Sequence, residues 1–223
     1  MDQRRQIAQL EVHEVTDRPV KAALADLASD ADQVRTRAYA ERLSDSGDAE
    51  SISALVICLR SKDKQLRRAA AHVVGEVADR RPDLFLPHVP ALIEIVRTGS
   101  GPAVWESLHA LADLARHDPT ALAPYRDTVV AALDGPSVIA RDNAVRILVG
   151  IAALRSERAE AMLALVQTLA VAPVNQLPMY AELIAPVVGP EEADDVRRIL
   201  IERLASITQP AKIRRIEAVL RKL

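Results

Sequence analysis

Aromatic residues are scarce in this sequence, which has one tryptophan, one phenylalanine and three tyrosines among 223 residues. So few rings leave alanine, leucine, valine and isoleucine to fill the core, which suits closely stacked helices. Glycine is scarce as well, with seven residues, and this argues against a sheet protein that needs many tight turns. The composition therefore favours an all-helical fold.

Cysteine and net charge are also limited. Cys58 is the only cysteine, which excludes a disulfide within one chain and argues against a cysteine metal site. The net charge of −2 gives no overall field that draws the molecule to nucleic acid or to an anionic membrane. No apolar run reaches the ~18 residues that a membrane span requires, and the start of the sequence lacks the apolar segment of a signal peptide. We expect a cytoplasmic protein with no membrane contact.

The sequence repeats itself with a period of about 37 residues. When residues 63–78 are aligned with residues 137–152, Arg67 falls on Arg141, Ala70 on Ala144, and Val74 on Leu148. Halfway between them, residues 103–115 place leucines in the matching apolar positions: Leu108, Leu111 and Leu114. Each period contains two helical patterns. A repeated helix pair of this length predicts an α-solenoid.

Helix-breaking residues divide the whole chain into predicted helices. Proline and glycine clusters, such as residues 98–102 and 134–136, separate apolar stripes at helical spacing. The connections are short, so consecutive helices are expected to be antiparallel neighbours. No change of composition marks a domain boundary. We predict one α-solenoid domain over residues 1–223, a right-handed α-α superhelix of about five to six helix pairs.

The repeat openings resemble those of HEAT repeats. Residues 32–38 and 63–70 are similar to the HEAT pattern in which an aspartate is followed by an arginine and then an alanine, and residues 137–144 are a diverged copy. The resemblance covers residues 30–172 well and the two ends only by helical pattern. It implies a HEAT-like, armadillo-like fold. It does not imply one function, because the fold carries transport receptors, phosphatase scaffolds, lyase-like proteins and DNA glycosylases.

The arginines of this pattern have a structural interpretation. Asp63 and Ser137 stand four residues before Arg67 and Arg141, where each can cap a helix while the arginine reaches toward it or toward the neighbouring repeat. We interpret Arg35, Arg67 and Arg141 as a ladder between repeats. A binding role for them is the alternative.

No catalytic or cofactor-binding constellation is visible. His72 and His109 occupy equivalent repeat positions beside the apolar stripe, which favours a packing or edge role over a metal site. The carboxylates of residues 191–195 fall in the first turn of a predicted helix, where the helix dipole favours negative charge. No phosphate loop, nucleophile elbow or zinc motif is present. The sequence predicts no catalytic residue, no cofactor and no metal.

Two features are candidates for partner binding. Trp105, the only tryptophan, is expected in the core, and the alternative is an interface anchor at the edge of a groove. From residue 196 onward, the sequence contains eight basic residues and only two acidic ones. This excess is interpreted first as the polar cap of a terminal repeat. The alternative is a patch for an anionic partner, formed by Arg197, Arg198, Arg203, Arg214 and Arg215.

We therefore predict a non-enzymatic HEAT-repeat scaffold that binds a protein partner. The partner is expected on the face formed by the second helix of each pair, at residues 52–59, 89–96, 125–133, 158–171 and 191–207. The alternative is a nucleic-acid-associated protein related to HEAT-like DNA glycosylases. The scarcity of aromatics that could stack a base and the lack of positive charge place it second. The sequence does not identify the partner or the oligomeric state.

Overall fold

The computed structural model describes residues 19–28 and 33–223, and within these ranges the backbone forms helices and their connections, with no strand. The first helix, α1, covers residues 19–28. Eleven further α-helices follow: α2 Gln33–Ser46, α3 Ala49–Cys58, α4 Lys64–Ala78, α5 Val89–Thr98, α6 Pro102–Ala115, α7 Arg126–Leu133, α8 Val138–Ala152, α9 Arg158–Val171, α10 Leu177–Ile184, α11 Pro190–Leu204 and α12 Pro210–Leu220. Short 3₁₀ segments occupy Pro82–His88, Pro119–Ala121, Ala123–Tyr125 and Ala185–Val187.

Side-chain caps fix where several helices begin. The Asp63 carboxylate accepts hydrogen bonds from the backbone N–H groups of Gln65 and Leu66, as the sequence predicts. Asp48 caps α3 in the same way, and Ser137 caps α8 through the N–H of Ala140. After α2, Gly47 adopts a positive φ of 60°, a conformation that glycine takes without steric cost. Local chemistry therefore sets these boundaries.

The chain forms two compact units, Met1–Leu114 and Ala115–Leu223. In the first unit α4 packs against α2 and α3, and the 3₁₀ segment Pro82–His88 packs against α3, α4 and α5. In the second unit α8 packs against α7, α9 and α10, while α11 packs against α9 and α12 against α10. That the chain is one domain stays a prediction.

The predicted core positions are buried. Four of them are inaccessible to solvent in the first unit and two in the second: Ala70, Val74, Leu108 and Leu111, and Ala144 and Leu148. Cys58 is buried as expected. Small alanines between the larger aliphatic side chains let neighbouring helices approach closely. The apolar part of the repeat pattern is thus a correct description of the packing.

Polar contacts between successive repeats have the period of the sequence. In the first unit the Arg37–Glu76 and Arg80–Glu41 pairs each join residues 39 positions apart. In the second unit the Tyr180 hydroxyl donates to Asp142, 38 positions away. These separations agree with the repeat of about 37 residues, because each contact joins equivalent helices of successive repeats.

The motif arginines bind backbone carbonyl groups. Arg67 donates to the carbonyl of Ser61 at 2.6 Å. Arg141 donates to the carbonyls of Leu133 and Gly135 at 2.8 and 3.0 Å. Each arginine therefore ties the first helix of a repeat to the end of the helix before it. In these contacts Arg67 and Arg141 bind backbone carbonyls and do not stack on another motif arginine. Each arginine is thus an anchor at a repeat junction.

Some sequence expectations have a different outcome. The sequence also predicts a helix at residues 2–15 from its apolar spacing and a helix cap at Asp32, and both lie outside the described residues. The spacing of Val34 and Leu43 predicts that both lie on the apolar face of α2, but Val34 is 76% exposed, while Ala40 and Leu43 are buried. The buried face of α2 is thus rotated away from Val34. Within the described ranges, no helix combines the length and the apolar character needed to cross a membrane.

Candidate functional site

The first unit contains a groove of about 640 Å³ on the face formed by its first helices. The groove is lined by the end of α1 and by residues of α2, α4 and α6, together with Asp79 just after α4. This placement differs from the sequence expectation, which assigned the partner surface to the second helix of each pair. Residues of α4 at positions 65, 68, 72 and 76 contribute because they recur at three- to four-residue spacing and so share one helix face, and Asp79 follows at the same spacing just after the helix.

Charge is unevenly distributed in the groove. Its lining includes two arginines, Arg37 and Arg68, and three carboxylates, Glu76, Asp79 and Glu106. Arg37 forms an exposed ion pair with Glu76 at 3.3 Å. Asp79 and Glu106 lie at the end where α4 and α6 meet. The groove is therefore acidic at that end, and it does not form the continuous positive surface that a phosphate backbone requires.

His109 lies at the centre of a cluster of carboxylates at this acidic end. Its Nε2 is 2.9 Å from Asp79 Oδ1 and 3.0 Å from Asp113 Oδ2. Its Nδ1 is 3.2 Å from Glu106 Oε2. Glu106, His109 and Asp113 are spaced i, i+3 and i+7 on α6, which places all three on one face of that helix. Asp79 reaches the same imidazole from the end of α4. We call these four residues the His109 cluster.

The electrostatics of the cluster favour a charged imidazole. Hydrogen bonds to Asp113 and then to Glu106 raise the pKa of His109 to about 10, against the opposing effect of partial burial. The ring is therefore protonated at neutral pH in the absence of a competing cation. One imidazolium then faces three carboxylates, those of Asp79, Glu106 and Asp113.

A glycine makes room for this cluster. A Cβ added to Gly75 in the middle of α4 would lie 2.4 Å from Glu106 Oε2 and 3.7 Å from His109 Nδ1. Any other residue would displace the Glu106 carboxylate from the position where it meets the imidazole. Glycine in the interior of a helix costs about 1 kcal/mol relative to alanine. Gly75 therefore leaves the space that the Glu106 carboxylate needs to reach His109.

The sequence indicates packing or edge positions for His72 and His109, and His109 lies half-buried at the edge of the groove. The carboxylates that surround it are not part of that prediction. The signal in the sequence is the i, i+3, i+7 spacing of Glu106, His109 and Asp113. Asp79 could not be found in this way, because it reaches the site from a different helix and only tertiary packing brings it there.

The five C-terminal arginines of the predicted anionic-partner patch engage neighbouring acceptors to different degrees. Arg197 pairs with Asp194, and Arg198 with Asp195 and Glu202. Arg215 forms a two-point hydrogen bond with Glu182 at 2.7 and 2.6 Å, and Arg203 donates to the carbonyls of Ala170 and Ala172. Arg214 is exposed on α12. These contacts neutralise part of the positive charge, and the patch stays a prediction.

Trp105 lies in the first half of α6 and is partly buried. It does not line the groove described above. Its role as an interface anchor stays a prediction. The carboxylates of α11 have the structural role expected of them, because Glu192 accepts a hydrogen bond from the backbone N–H of Gly189 and pairs with Arg158.

Comparison with known proteins defines the fold. No family model matches the chain, and no curated protein matches it. Among solved structures it is similar to a designed armadillo repeat protein, with 17% identity, a TM-score of 0.58, and coverage of 92% of this chain and 99% of the other. A second designed armadillo repeat protein, in complex with the peptide (KR)4, has 17% identity, a TM-score of 0.60, and coverage of 91% and 98%. An engineered protein has 19% identity, a TM-score of 0.59, and coverage of 92% and 96%.

These similarities confirm the predicted fold class. The chain is an all-helical α-solenoid of HEAT-like, armadillo-like repeats, and it has the architecture of a repeat scaffold. At this level of identity the similarity concerns the fold, so any function must be argued from the groove and its residues.

Proposed function

We propose that this protein is a non-enzymatic scaffold that binds a protein segment in the groove of its first unit. The observation that carries the proposal is the groove itself: an open, mixed-polarity concavity of about 640 Å³ formed by consecutive repeats. Repeat proteins bind extended partners on such continuous surfaces. The lining includes amide and hydroxyl side chains that can hydrogen-bond a peptide backbone: Gln33, Thr36 and Gln65.

The charge distribution suggests which segment would bind. A lysine or arginine of the partner would lie at the acidic end, near Asp79 and Glu106, while Arg37 and Arg68 can accept an acidic residue elsewhere in the groove. A structurally similar designed armadillo repeat protein forms a complex with the basic peptide (KR)4. That complex supports a basic segment as the partner of this groove. We further propose a cytoplasmic location, which the single cysteine supports.

The nucleic-acid alternative has less support from the geometry. Arg37 and Arg68 are outnumbered by carboxylates in the groove, and a phosphate backbone would meet Glu76, Asp79 and Glu106. The C-terminal arginines offer a separate positive surface, but four of the five engage neighbouring acceptors. A scaffold for protein segments is therefore the function that the structure supports best.

Fluorescence anisotropy with a labelled (KR)4 peptide tests the proposal, with an excess of EDTA present throughout. We expect binding that weakens with salt, and a loss of roughly tenfold in the double variant Glu76→Gln, Glu106→Gln, because each substitution removes a half-buried carboxylate that can pair with a basic residue of the peptide. A matched control is the double variant Glu191→Gln, Glu217→Gln, which removes the same charge from two exposed positions in the second unit. It should bind the peptide like the unaltered protein.

Two results would count against the groove. One is equal affinity of the unaltered protein and the groove variant for the peptide. The other is tighter binding of duplex DNA than of the peptide, lost when Arg197, Arg198, Arg214 and Arg215 are replaced by glutamine. The second result would favour the nucleic-acid alternative.

A further inference from the structure

Two carboxylates in the His109 cluster converge on a nitrogen that carries at most one hydrogen. Asp79 Oδ1 and Asp113 Oδ2 are 2.9 and 3.0 Å from His109 Nε2. All three atoms lie within 4.8 Å of one another. A single N–H can point directly at one acceptor only, so one of the two oxygens always receives a bent, weaker hydrogen bond. A cation placed among the three atoms would satisfy both oxygens at once.

The distances suit a metal ion. Bonds of ~2.1 Å from a divalent transition metal to nitrogen and oxygen place neighbouring ligand atoms roughly 3.0 to 3.4 Å apart, depending on the geometry. The two measured separations from Nε2 are at or just below the lower end of this range. Binding would replace the Nε2 proton, which is released to solvent, and the carboxylates would then coordinate the ion through the same oxygens.

The surroundings of His109 resemble the support that metal-binding histidines receive. Such a histidine usually donates its other ring N–H to a carboxylate, which fixes the tautomer and the ring orientation. Here Glu106 accepts from Nδ1 at 3.2 Å, and Gly75 leaves the space that its carboxylate occupies. Asp113 is 8% exposed, so one ligand is held in the protein interior, while Asp79 and His109 open into the groove. The arrangement leaves coordination positions accessible from solvent.

The preceding repeat shows that the cluster is not a general property of the fold. Shifting each residue by 37 positions places His72 at the position of His109 and Glu76 at that of Asp113. The same shift gives Ala69 in place of Glu106 and Arg42 in place of Asp79. The preceding repeat therefore keeps the histidine but lacks the orienting carboxylate and has a cation where the third ligand would stand.

We propose that Asp79, His109 and Asp113 bind a divalent first-row transition metal ion of the zinc class, with Glu106 orienting the imidazole through Nδ1. One imidazole nitrogen among carboxylate oxygens favours such an ion over Mg²⁺ or Ca²⁺, which prefer oxygen ligands alone. The ion would place positive charge between the carboxylates of Asp79 and Asp113 and leave open positions that face the groove. The site does not depend on peptide binding.

The test uses the full chain without an affinity tag and Zn²⁺ alone as the probe, in competition with a chromogenic chelator. We expect one Zn²⁺ per chain, a rise in melting temperature on binding, and no displacement by excess Mg²⁺. His109→Gln and Asp113→Asn should each abolish the ability of the protein to take Zn²⁺ from the chelator. Glu106→Gln should weaken it by roughly tenfold, the lower end of what a removed orienting partner costs. His72→Gln is the matched control and should bind like the unaltered protein.

Gly75→Ala provides a variant that leaves every proposed ligand in place. Its Cβ would displace the Glu106 carboxylate, so zinc affinity should fall as it does in Glu106→Gln, while circular dichroism shows a folded helical protein. Four outcomes would each overturn the proposal. They are undiminished zinc binding in His109→Gln, an equal loss of zinc binding in His72→Gln, displacement of zinc by Mg²⁺, and the absence of stoichiometric zinc binding to the unaltered protein. Because the peptide experiment is run in EDTA, its failure and the failure of zinc binding are separate outcomes.

Discussion

The two units use polar residues between repeats in different ways. In the second unit Tyr180 pairs with Asp142, Arg215 with Glu182 and Lys212 with Asn175, and the guanidinium of Arg126 is shared among three carboxylates. In the first unit several carboxylates meet at one imidazole beside an open groove. The contacts of the second unit join repeats through amines, guanidinium groups and a hydroxyl. The His109 cluster instead centres on an imidazole, whose nitrogen can coordinate a metal ion, and it is there that we propose a ligand.

The first prediction, with the largest expected effect, tests whether the two units differ only in their polar contacts and not in the packing of their cores. Leu111 in the first unit and Leu148 in the second are both inaccessible to solvent. Leu111→Ala and Leu148→Ala should each lower the free energy of unfolding by about 2 to 5 kcal/mol, because each removes buried methyl groups and leaves a cavity. Chemical denaturation followed by circular dichroism measures both. A loss below about 1 kcal/mol in only one of them would mean that the two cores differ in packing as well.

Much of this comparison was accessible from the sequence. The helical period, the caps at Asp63 and Ser137, and the buried positions such as Leu111 follow from local spacing and local chemistry, and the structure confirms them. The contents of the groove were not accessible, because Asp79 and His109 lie 30 residues apart and meet only when α4 packs beside α6. The position of the groove was not accessible either: its lining comes from α2, α4 and α6, where side chains such as Arg68 and His72 lie on the exposed stripe of the first helices. That a partner binds the face of the second helices stays a prediction.

The arginines illustrate the same limit. The sequence indicates that Arg67 and Arg141 have a structural role, and each donates to backbone carbonyls at a repeat junction. The excess of basic residues near the C-terminus indicates a patch, yet it does not show how Arg215 would meet Glu182 from another repeat. Net charge along a sequence is readable, whereas the pairing of that charge requires the packed helices.

The second prediction contrasts a hydrogen-bonded pair, Tyr180 with Asp142, with a donor shared between two acceptors, the Nε2–H of His109. Tyr180 is fully buried and its hydroxyl donates to Asp142 at 2.6 Å; burial and then this hydrogen bond raise the pKa of the tyrosine above its usual value. Tyr180→Phe should lower the free energy of unfolding by about 1 to 3 kcal/mol, because a hydrogen bond to a carboxylate is lost. In the first unit, Asp79→Asn should change it by less than about 1 kcal/mol, since Asp79 is exposed and His109 keeps two other carboxylate partners.

Urea denaturation monitored by circular dichroism in the presence of EDTA measures both variants. Phe85→Leu provides a check that a modest repacking of another fully buried ring is detectable under the same conditions. The contrast fails if Asp79→Asn is as destabilising as Tyr180→Phe. That outcome would make Asp79 a structural residue and would remove the distinction between the two kinds of contact.

The smallest expected effect is the loss of stability of the first unit as the pH falls. Partial burial lowers the pKa of His88, at the end of the 3₁₀ segment Pro82–His88, below its ordinary value. Because the unfolded chain then binds the proton more readily, stability is fully present above about pH 6.5 and falls as the pH drops below it. One proton limits the slope to about 1.4 kcal/mol per pH unit. In the second unit, hydrogen bonding to Arg215 lowers the pKa of Glu182, so the corresponding loss begins only below about pH 4.5.

Trp105 makes this prediction measurable, since the only tryptophan of the chain belongs to the first unit. Between pH 6.5 and 5.5, the denaturation midpoint reported by tryptophan fluorescence should fall for the unaltered protein and stay nearly constant for His88→Gln. His72→Gln, which removes an exposed histidine from the same unit, should retain the full pH dependence. His109 contributes a smaller slope of opposite sign in this window, because it stays protonated in the folded chain while the unfolded chain takes up the corresponding proton around pH 6.5. The unaltered protein and His88→Gln share this contribution, so the difference between their slopes reports His88. An equal slope in His88→Gln and the unaltered protein would assign the acid sensitivity to another group and would leave the two units alike in this respect.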